Sequence, residues 1–244
     1  MHKRSITGAL TAEFIGSFAL VFSIIVVVSM YALQADVARG LTYPFIALAQ
    51  GLVLFFLLQT AGAVSSGYFN PAVTLALVSI RRLPPAVAAP YIFVQIAGAV
   101  LAALVAKLVI PDQADTVSYA TTLVNDREIT VWAALALEAI FTFFLVWTVV
   151  GTTADPDRPK EWAPLAIAGA LMLGVLLIAP LTGAGLNPAR SIGPALVSGD
   201  WGATSDFLRA YVAGPIVGGL IAAGLYNRLY LGEGKPAPAP ATPE

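Results

Sequence analysis

The tripeptide Asn70-Pro71-Ala72 occurs a second time as Asn187-Pro188-Ala189, and each copy opens a short apolar stretch, at 72–80 and at 189–197. The chain has only four asparagines, and two of them begin this tripeptide. Asparagine is a strongly preferred helix N-cap, and proline is favoured at the first helical position. Each copy therefore predicts the start of a short helix that crosses about half of a bilayer core.

Six longer apolar segments flank these two stretches. The 244 residues are 58% hydrophobic and only 11% charged, with a mean hydropathy of +0.83, which excludes an ordinary soluble domain. A membrane-spanning helix needs about 20 apolar residues. Runs of that length predict six spans, at about 6–33, 41–63, 86–110, 129–152, 163–181 and 207–231. The first run is longer than the core of a signal peptide, so it is predicted to be retained.

The two halves of the chain repeat one another. A shift of 125 residues places Glu13 over Glu138, and a shift of 117 residues superposes the two triplets. Each repeat, about 6–110 and 129–231, then contains a Glu-bearing span, a second span, a half-helix and a third span. Because three spans are an odd number, the two copies enter the membrane from opposite sides. The predicted fold class is an all-α integral membrane protein with six transmembrane helices and two re-entrant half-helices in an inverted repeat.

Composition also narrows the functional classes. The chain has a net charge of −1, no cysteine and one histidine, His2. The charge argues against nucleic acid as a partner. The absence of cysteine excludes thiolate metal clusters, and a single histidine at the terminus excludes histidine metal clusters and Ser-His-Asp triads. No nucleophile-base pair is visible either. The sequence therefore predicts no enzyme activity, no catalytic residue, no metal site and no cofactor.

The distribution of Lys and Arg predicts the orientation in the membrane. The side that holds the N-terminus carries eight of these residues: Lys3, Arg4, Arg81, Arg82, Arg158, Lys160, Arg228 and Lys235. The other side carries Arg39, Arg127 and Arg209. Positive residues accumulate on the cytoplasmic side of membrane proteins. The chain is therefore predicted to be a multi-pass protein of the cell membrane with both termini in the cytoplasm.

The segments before the triplets, 62–69 and 181–186, are rich in Gly and small residues, which suits extended backbone beside a narrow path. Such backbone at membrane depth must be buried in protein or line a watered cavity. Two half-helices entering from opposite sides bring their N-termini together, and the positive dipole ends disfavour cations and protons there. The amides of Asn70 and Asn187 can donate to a neutral oxygen. The arrangement therefore favours passage of water or small uncharged solutes.

The two Asn-Pro-Ala boxes, Arg190 three residues after the second Asn, and Glu13 and Glu138 in the first and fourth spans resemble the signature of the major intrinsic protein family, the aquaporins and aquaglyceroporins. The resemblance covers nearly the whole chain. It implies a passive channel in which the boxes and Arg190 exclude ions and protons. It also implies a homotetramer in the lipid bilayer, with water and small neutral solutes as the transported partners.

The resemblance places a constriction, the selectivity filter, at four residues: Gln50, Val175, Ala184 and Arg190. Water-selective members have an aromatic residue at the position of Gln50 and a histidine at that of Val175. Glycerol-conducting members have aromatics at the positions of Gln50 and Ala184. This sequence has neither combination. Two functions stay open: a water channel that also passes small solutes, and an aquaglyceroporin-type channel mainly for glycerol, urea or another small uncharged solute.

Glu13 and Glu138 are interpreted as loop scaffolds. In related proteins such glutamates hold the backbone N–H groups of the re-entrant loops, and their repetition suits that role better than a proton relay. An alternative of a different class is a proton-coupled secondary transporter, which also uses inverted repeats and broken helices. Such a transporter needs a titratable group at its midplane site, and apart from these two glutamates the sequence offers none.

Residues 232–244 are expected to be a disordered cytoplasmic tail after a single channel domain, 1–231. The tail is rich in Pro and Ala and has no apolar periodicity with which to pack. Truncation after Leu231 is predicted to leave permeability unchanged, as measured by light scattering on proteoliposomes. A large loss of flux in correctly inserted, truncated protein would show that the tail gates or packs on the channel.

Overall fold

The structure, a computed structural model, describes residues 5–32, 42–154 and 160–231. Six of its helices are long and apolar enough to cross a membrane, and we call them spans one to six: Ile6–Ala32, Thr42–Thr60, Pro85–Val109, Val131–Thr153, Ala163–Thr182 and Thr204–Leu231. Each coincides within three residues with a predicted run, wherever both ends are described. No strand occurs in the described ranges. The predicted six-span, all-α fold class is confirmed.

Shorter elements connect the spans. Pro71–Ser79 and Pro188–Ser198 are the predicted half-helices, called the first and second half-helix below. The connections also contain the helices Gly62–Ser65 and Pro111–Thr116 and the 3-10 turn Ser118–Ala120. Span six is composite: Thr204–Phe207 and Gly214–Tyr226 are α-helical, whereas Leu208–Ala213 and Asn227–Leu231 are π-helical. The predicted tail, 232–244, lies outside the described residues.

Each half-helix begins where the Asn-Pro pattern predicts. Asn70 and Asn187 have extended backbone, with φ of −154° and −155°, and a proline opens each helix. The Oδ1 atom of Asn70 accepts from the Ala72 N–H (2.9 Å), and that of Asn187 accepts from the Ala189 N–H (3.0 Å). The first N–H groups of a helix have no partner within the helix. These side chains therefore satisfy donors that would otherwise stay unpaired inside the protein.

The spans pack as two matching sets. Span one packs on span three, span four packs on span six, and spans two and five pack on each other across the repeats. The half-helices are exchanged between the sets. The first half-helix belongs to the first repeat but packs against span six of the second, and the second half-helix packs against span three of the first. This exchange ties the two repeats together and places both Asn-Pro-Ala boxes in the interior.

Glycines at equivalent positions of the repeats allow the closest contacts between spans. A methyl group on Gly98 would overlap the carbonyl oxygen of Phe14, and one on Gly218 would overlap that of Ala139. Both neighbours are backbone atoms of another span, so neither can rotate aside. Small residues at such contacts are typical of membrane helices that pack backbone against backbone.

Replacing Gly218 by alanine is expected to force spans four and six apart, at a cost of roughly 1–3 kcal/mol, the usual cost of overpacking. Gly224 lies in the same span, and a methyl group added there would meet no atom within 4 Å. Gly224→Ala is therefore the matched control and should not lower stability. Thermal unfolding in detergent, followed by intrinsic fluorescence, measures both variants. Equal thermal unfolding midpoints for Gly218→Ala and Gly224→Ala would contradict the close packing at Gly218.

Candidate functional site

The two Asn-Pro-Ala boxes meet at the centre of the molecule. The side-chain amide of Asn70 donates to the carbonyl oxygen of Leu186 (2.9 Å), and that of Asn187 donates to the carbonyl oxygen of Phe69 (2.8 Å). Each amide therefore holds the residue just before the other box. An amide nitrogen carries two donors, and neither amide makes a second donor bond within the described residues. One N–H on each asparagine remains for a solute.

Phe69 and Leu186, whose carbonyls receive these bonds, have left-handed backbone, with φ of 50° and 52°. A residue other than glycine in this region costs roughly 1–2 kcal/mol. The conformation directs each carbonyl to the opposite box and each N–H to a buried glutamate. The strain is therefore maintained by hydrogen bonds on both sides of the residue.

Glu13 and Glu138 are fully buried and bind the loops before the boxes. Glu13 accepts from four groups: the Ser65 hydroxyl (2.7 Å), the Tyr68 N–H (3.0 Å), the Phe69 N–H (2.7 Å) and the Gln95 amide (2.8 Å). Glu138 accepts from three: the Thr182 hydroxyl (2.7 Å), the Gly185 N–H (2.8 Å) and the Leu186 N–H (2.6 Å). Each carboxylate therefore satisfies loop donors that would otherwise be unpaired at membrane depth.

Further residues at equivalent positions complete this arrangement, and none of them was predicted to support the loops. Ser65 and Thr182 are 117 residues apart, the same shift that superposes the boxes, so the repeat itself was an available signal. The hydroxyls of Tyr91 and Tyr211 donate to the carbonyls of Ser65 (3.1 Å) and Thr182 (2.7 Å). Tyr211 lies in the π-helical turn Leu208–Ala213, an irregularity for which the sequence carries no pattern.

A cavity of about 1380 Å³ passes the boxes. Asn70 and Asn187 line it, and so do the four residues assigned to the filter: Gln50, Val175, Ala184 and Arg190. Each of these four is at most 6% exposed. The structure therefore brings together the two asparagines that start the half-helices and the four residues assigned to the filter. Those four come from spans two and five, the segment 183–187 before the second half-helix, and that half-helix itself.

The filter residues present two kinds of surface. The side-chain N–H of Gln50 donates to the carbonyl oxygen of Leu20 in span one (3.2 Å). This bond orients the amide, because only its nitrogen end can donate to a carbonyl. Val175 and Ala184 offer no polar side-chain atom. Of the four residues assigned to the filter, Gln50 and Arg190 therefore supply the polar side-chain atoms, and the other two are apolar.

Arg190 is anchored by a loop that lies far away in the sequence. Its Nη1 donates to the carbonyl oxygen of Ala120 (2.8 Å). Ala120 ends a turn in which Ser118, Tyr119 and Ala120 are all left-handed, with φ of 46°, 55° and 57°. The sequence carries no signal for this turn, because glycine, the usual residue at positive φ, is absent from it.

Burial raises the pKa of Tyr119, whose hydroxyl donates to Asp115 Oδ1 (3.5 Å) and whose ionisation that carboxylate also opposes. The tyrosine is 3% exposed, so the middle of the left-handed turn is an uncharged, packed side chain. The turn therefore offers Arg190 a backbone carbonyl and no charge of its own.

The charges along the cavity are positive. Arg190, Arg82 and Lys160 line the cavity, the last two near the starts of spans three and five. None of the described residues that line it is acidic. Together with the two helix N-termini, these cations create a field that opposes the entry of cations.

The sequence model of the family described as major intrinsic protein matches residues 1–226. Nodulin-26 from Glycine max is 36% identical over 218 residues, which cover 89% of this chain and 76% of that protein. Aquaporin-8 from Notomys alexis is 34% identical over 225 residues, 91% of this chain and 82% of that protein. The solved aquaglyceroporin of Plasmodium falciparum has a TM-score of 0.77 at 22% identity, covering 92% of this chain and 97% of that chain, which shows a common fold.

Proposed function

Since this chain belongs to the major intrinsic protein family, we propose that it conducts water together with small neutral solutes and excludes ions and protons. The family consists of membrane channels, so the protein is a multi-pass channel and not an enzyme. A proton-coupled transporter is set aside on the same ground.

One observation carries the proposal: the two asparagine amides and Arg190 line one cavity whose described lining holds no acidic side chain. A neutral solute finds hydrogen-bond donors at Asn70 and Asn187, whereas a cation meets two positive dipole ends and a guanidinium. A water oxygen that accepts from both amides directs its own two hydrogens away from the boxes. This water therefore donates to both of its neighbours and accepts from neither, which interrupts the ordered donor–acceptor chain that a hopping proton requires.

A second candidate function, a channel mainly for glycerol or urea, is supported by the filter. Val175 and Ala184 are small and apolar, and they face the same cavity as Gln50 and Arg190. A polyol can place its carbon chain against the apolar positions and its hydroxyls against the polar ones. The two candidates differ in the ratio of solute to water permeability, which flux measurements on proteoliposomes give directly.

We also propose that the channel is a homotetramer in the cell membrane with both termini in the cytoplasm. Family membership supports the tetramer, and the bias of Lys and Arg toward the N-terminal side supports the orientation. Chemical crosslinking in native membranes and protease protection of tags on the two termini measure these two properties separately.

Reconstitution into proteoliposomes tests the channel function. Stopped-flow light scattering should show water permeability well above that of empty liposomes, with measurable glycerol and urea permeability. A pH-sensitive dye inside the vesicles should show no added proton leak. Rapid water flow without any solute flux would remove the solute part of the proposal, and a proton leak would remove the exclusion mechanism.

A blocking variant provides the control for flow through the protein. Val175→Trp places an indole in the cavity and should reduce both water and solute flux to the level of empty liposomes. Leu173 lies two residues away on span five, is 49% exposed and does not line the cavity. Leu173→Trp is therefore the matched control and should conduct as the unmodified protein does. Equal conduction by the two tryptophan variants would show that the cavity is not the pathway.

A further inference from the structure

Residues 117–125, called the strap below, are hydrogen-bonded to two of the elements that carry the residues assigned to the filter, span five and the second half-helix. At one end the Asn125 N–H donates to the carbonyl oxygen of Leu181 at the end of span five (2.9 Å). In the middle of the strap, the Thr121 hydroxyl lies 3.0 Å from the Ser198 hydroxyl at the end of the second half-helix. Ala120, the residue before Thr121, accepts the hydrogen bond from Arg190.

The Thr121 hydroxyl lies in the middle of a directed series of hydrogen bonds. It donates to the carbonyl oxygen of Ser118 (2.6 Å). Because a hydroxyl has a single hydrogen, Ser198 then donates to Thr121 (3.0 Å) in preference to its longer contact with the Ala195 carbonyl (3.5 Å). Ser198 in turn accepts from the Asp200 N–H (3.0 Å). The series therefore runs from the backbone after the second half-helix, through two hydroxyls, to the first residue of the left-handed turn.

The left-handed turn needs such support. Ser118, Tyr119 and Ala120 are three consecutive non-glycine residues at positive φ, a conformation that persists only where its surroundings hold it. The backbone N–H (3.0 Å) and the hydroxyl (2.6 Å) of Thr121 both donate to the carbonyl of the first of them, and Arg190 donates to the carbonyl of the last. No residue of the strap lines the cavity, so the strap can influence a solute only through the elements that it contacts, and Arg190 is the cavity-lining side chain to which it is hydrogen-bonded.

We propose that Thr121 is a positioning residue of the filter: its hydroxyl latches the left-handed turn to the second half-helix and so keeps the Ala120 carbonyl where Arg190 donates to it. The inference rests on the proposed channel function and adds a determinant of selectivity outside the pore wall. Without the latch, the turn relaxes and the guanidinium loses its fixed acceptor. Arg190 then moves across the aperture and obstructs larger solutes more than water.

Thr121→Val tests the latch, because valine keeps the shape of threonine and removes the hydroxyl. We expect glycerol permeability to fall relative to water permeability by about threefold or more. Thr121→Ser retains the hydroxyl and should restore the ratio. Thr152 is the control, since it is also half-buried, does not line the cavity, and its hydroxyl bonds only to its own helix, in span four. Thr152→Val should leave the ratio unchanged.

An unchanged ratio in Thr121→Val would overturn the proposal, as would failure of the serine variant to restore it. If the unmodified channel passes water alone, water permeability becomes the readout, with the same expected order of the variants. If it passes neither, the proposed function fails, and amide hydrogen exchange still tests the latch. Faster exchange across 117–125 in Thr121→Val, but not in Thr121→Ser, would support the latch, and equal exchange would refute it.

Discussion

Replacing Glu138 by alanine is expected to lower the stability of the folded channel severely. The substitution leaves the N–H groups of Gly185 and Leu186 without an acceptor, whereas the Thr182 hydroxyl keeps the Ile178 carbonyl (3.3 Å). Each of the two stranded buried donors costs roughly 1–3 kcal/mol. Leu186 also loses the bond that holds its left-handed backbone. Expression and the thermal midpoint in detergent should therefore fall together.

Glu138→Gln separates the scaffold role from a proton role. An amide accepts only through its oxygen, so its nitrogen would face the N–H of Leu186 or the donors at Gly185 and Thr182. A loss of stability intermediate between wild type and Glu138→Ala is expected, and Glu13→Gln should behave in the same way. Glu161→Ala, at an exposed position, is the control and should have no effect. Intact stability with an altered pH dependence of flux would refute the scaffold and favour proton transfer.

The double variant Gln50→Phe with Val175→His should reduce glycerol and urea flux at least about tenfold while water flux falls far less. An aromatic ring and an imidazole narrow the aperture from two sides, and a tenfold change corresponds to only about 1.4 kcal/mol of added barrier. The remaining donors at Arg190 and the new imidazole still serve a single water molecule. Paired stopped-flow measurements of water, glycerol and urea give the ratio.

Leu52→Phe controls for added bulk on span two, because Leu52 is 46% exposed and lies outside the cavity lining. The Leu52→Phe variant should change neither water flux nor solute flux. Equal losses of water and solute flux in the double variant would indicate general damage to the pore instead of selectivity. An unmodified channel that passes water and rejects all these solutes would show that another feature narrows the pore, and the filter assignment at Gln50 and Val175 would be wrong.

The elements of the fold could be predicted because their signals are local or repeated. Apolar runs give the six spans, since a span needs only length and hydrophobicity. Asn70 and Asn187 mark the half-helices because N-capping joins residues two or three positions apart. The internal repeat aligns Glu13 with Glu138, and it therefore predicts that the two carboxylates have equivalent surroundings.

Within the candidate site, the sequence determined the chemical types of the residues, and the tertiary structure determined what each of them contacts. Asn187 and the carbonyl of Phe69 are 118 residues apart in sequence, and Arg190 and the carbonyl of Ala120 are 70 apart. Backbone acceptors carry no side-chain signal, so no residue type at Phe69 or Ala120 identifies them. The left-handed turn at Ser118–Ala120 is likewise silent, because packing and hydrogen bonds, not glycine, impose it. Only the packing of the helices determines these contacts, because it sets which backbone groups of distant segments approach each other.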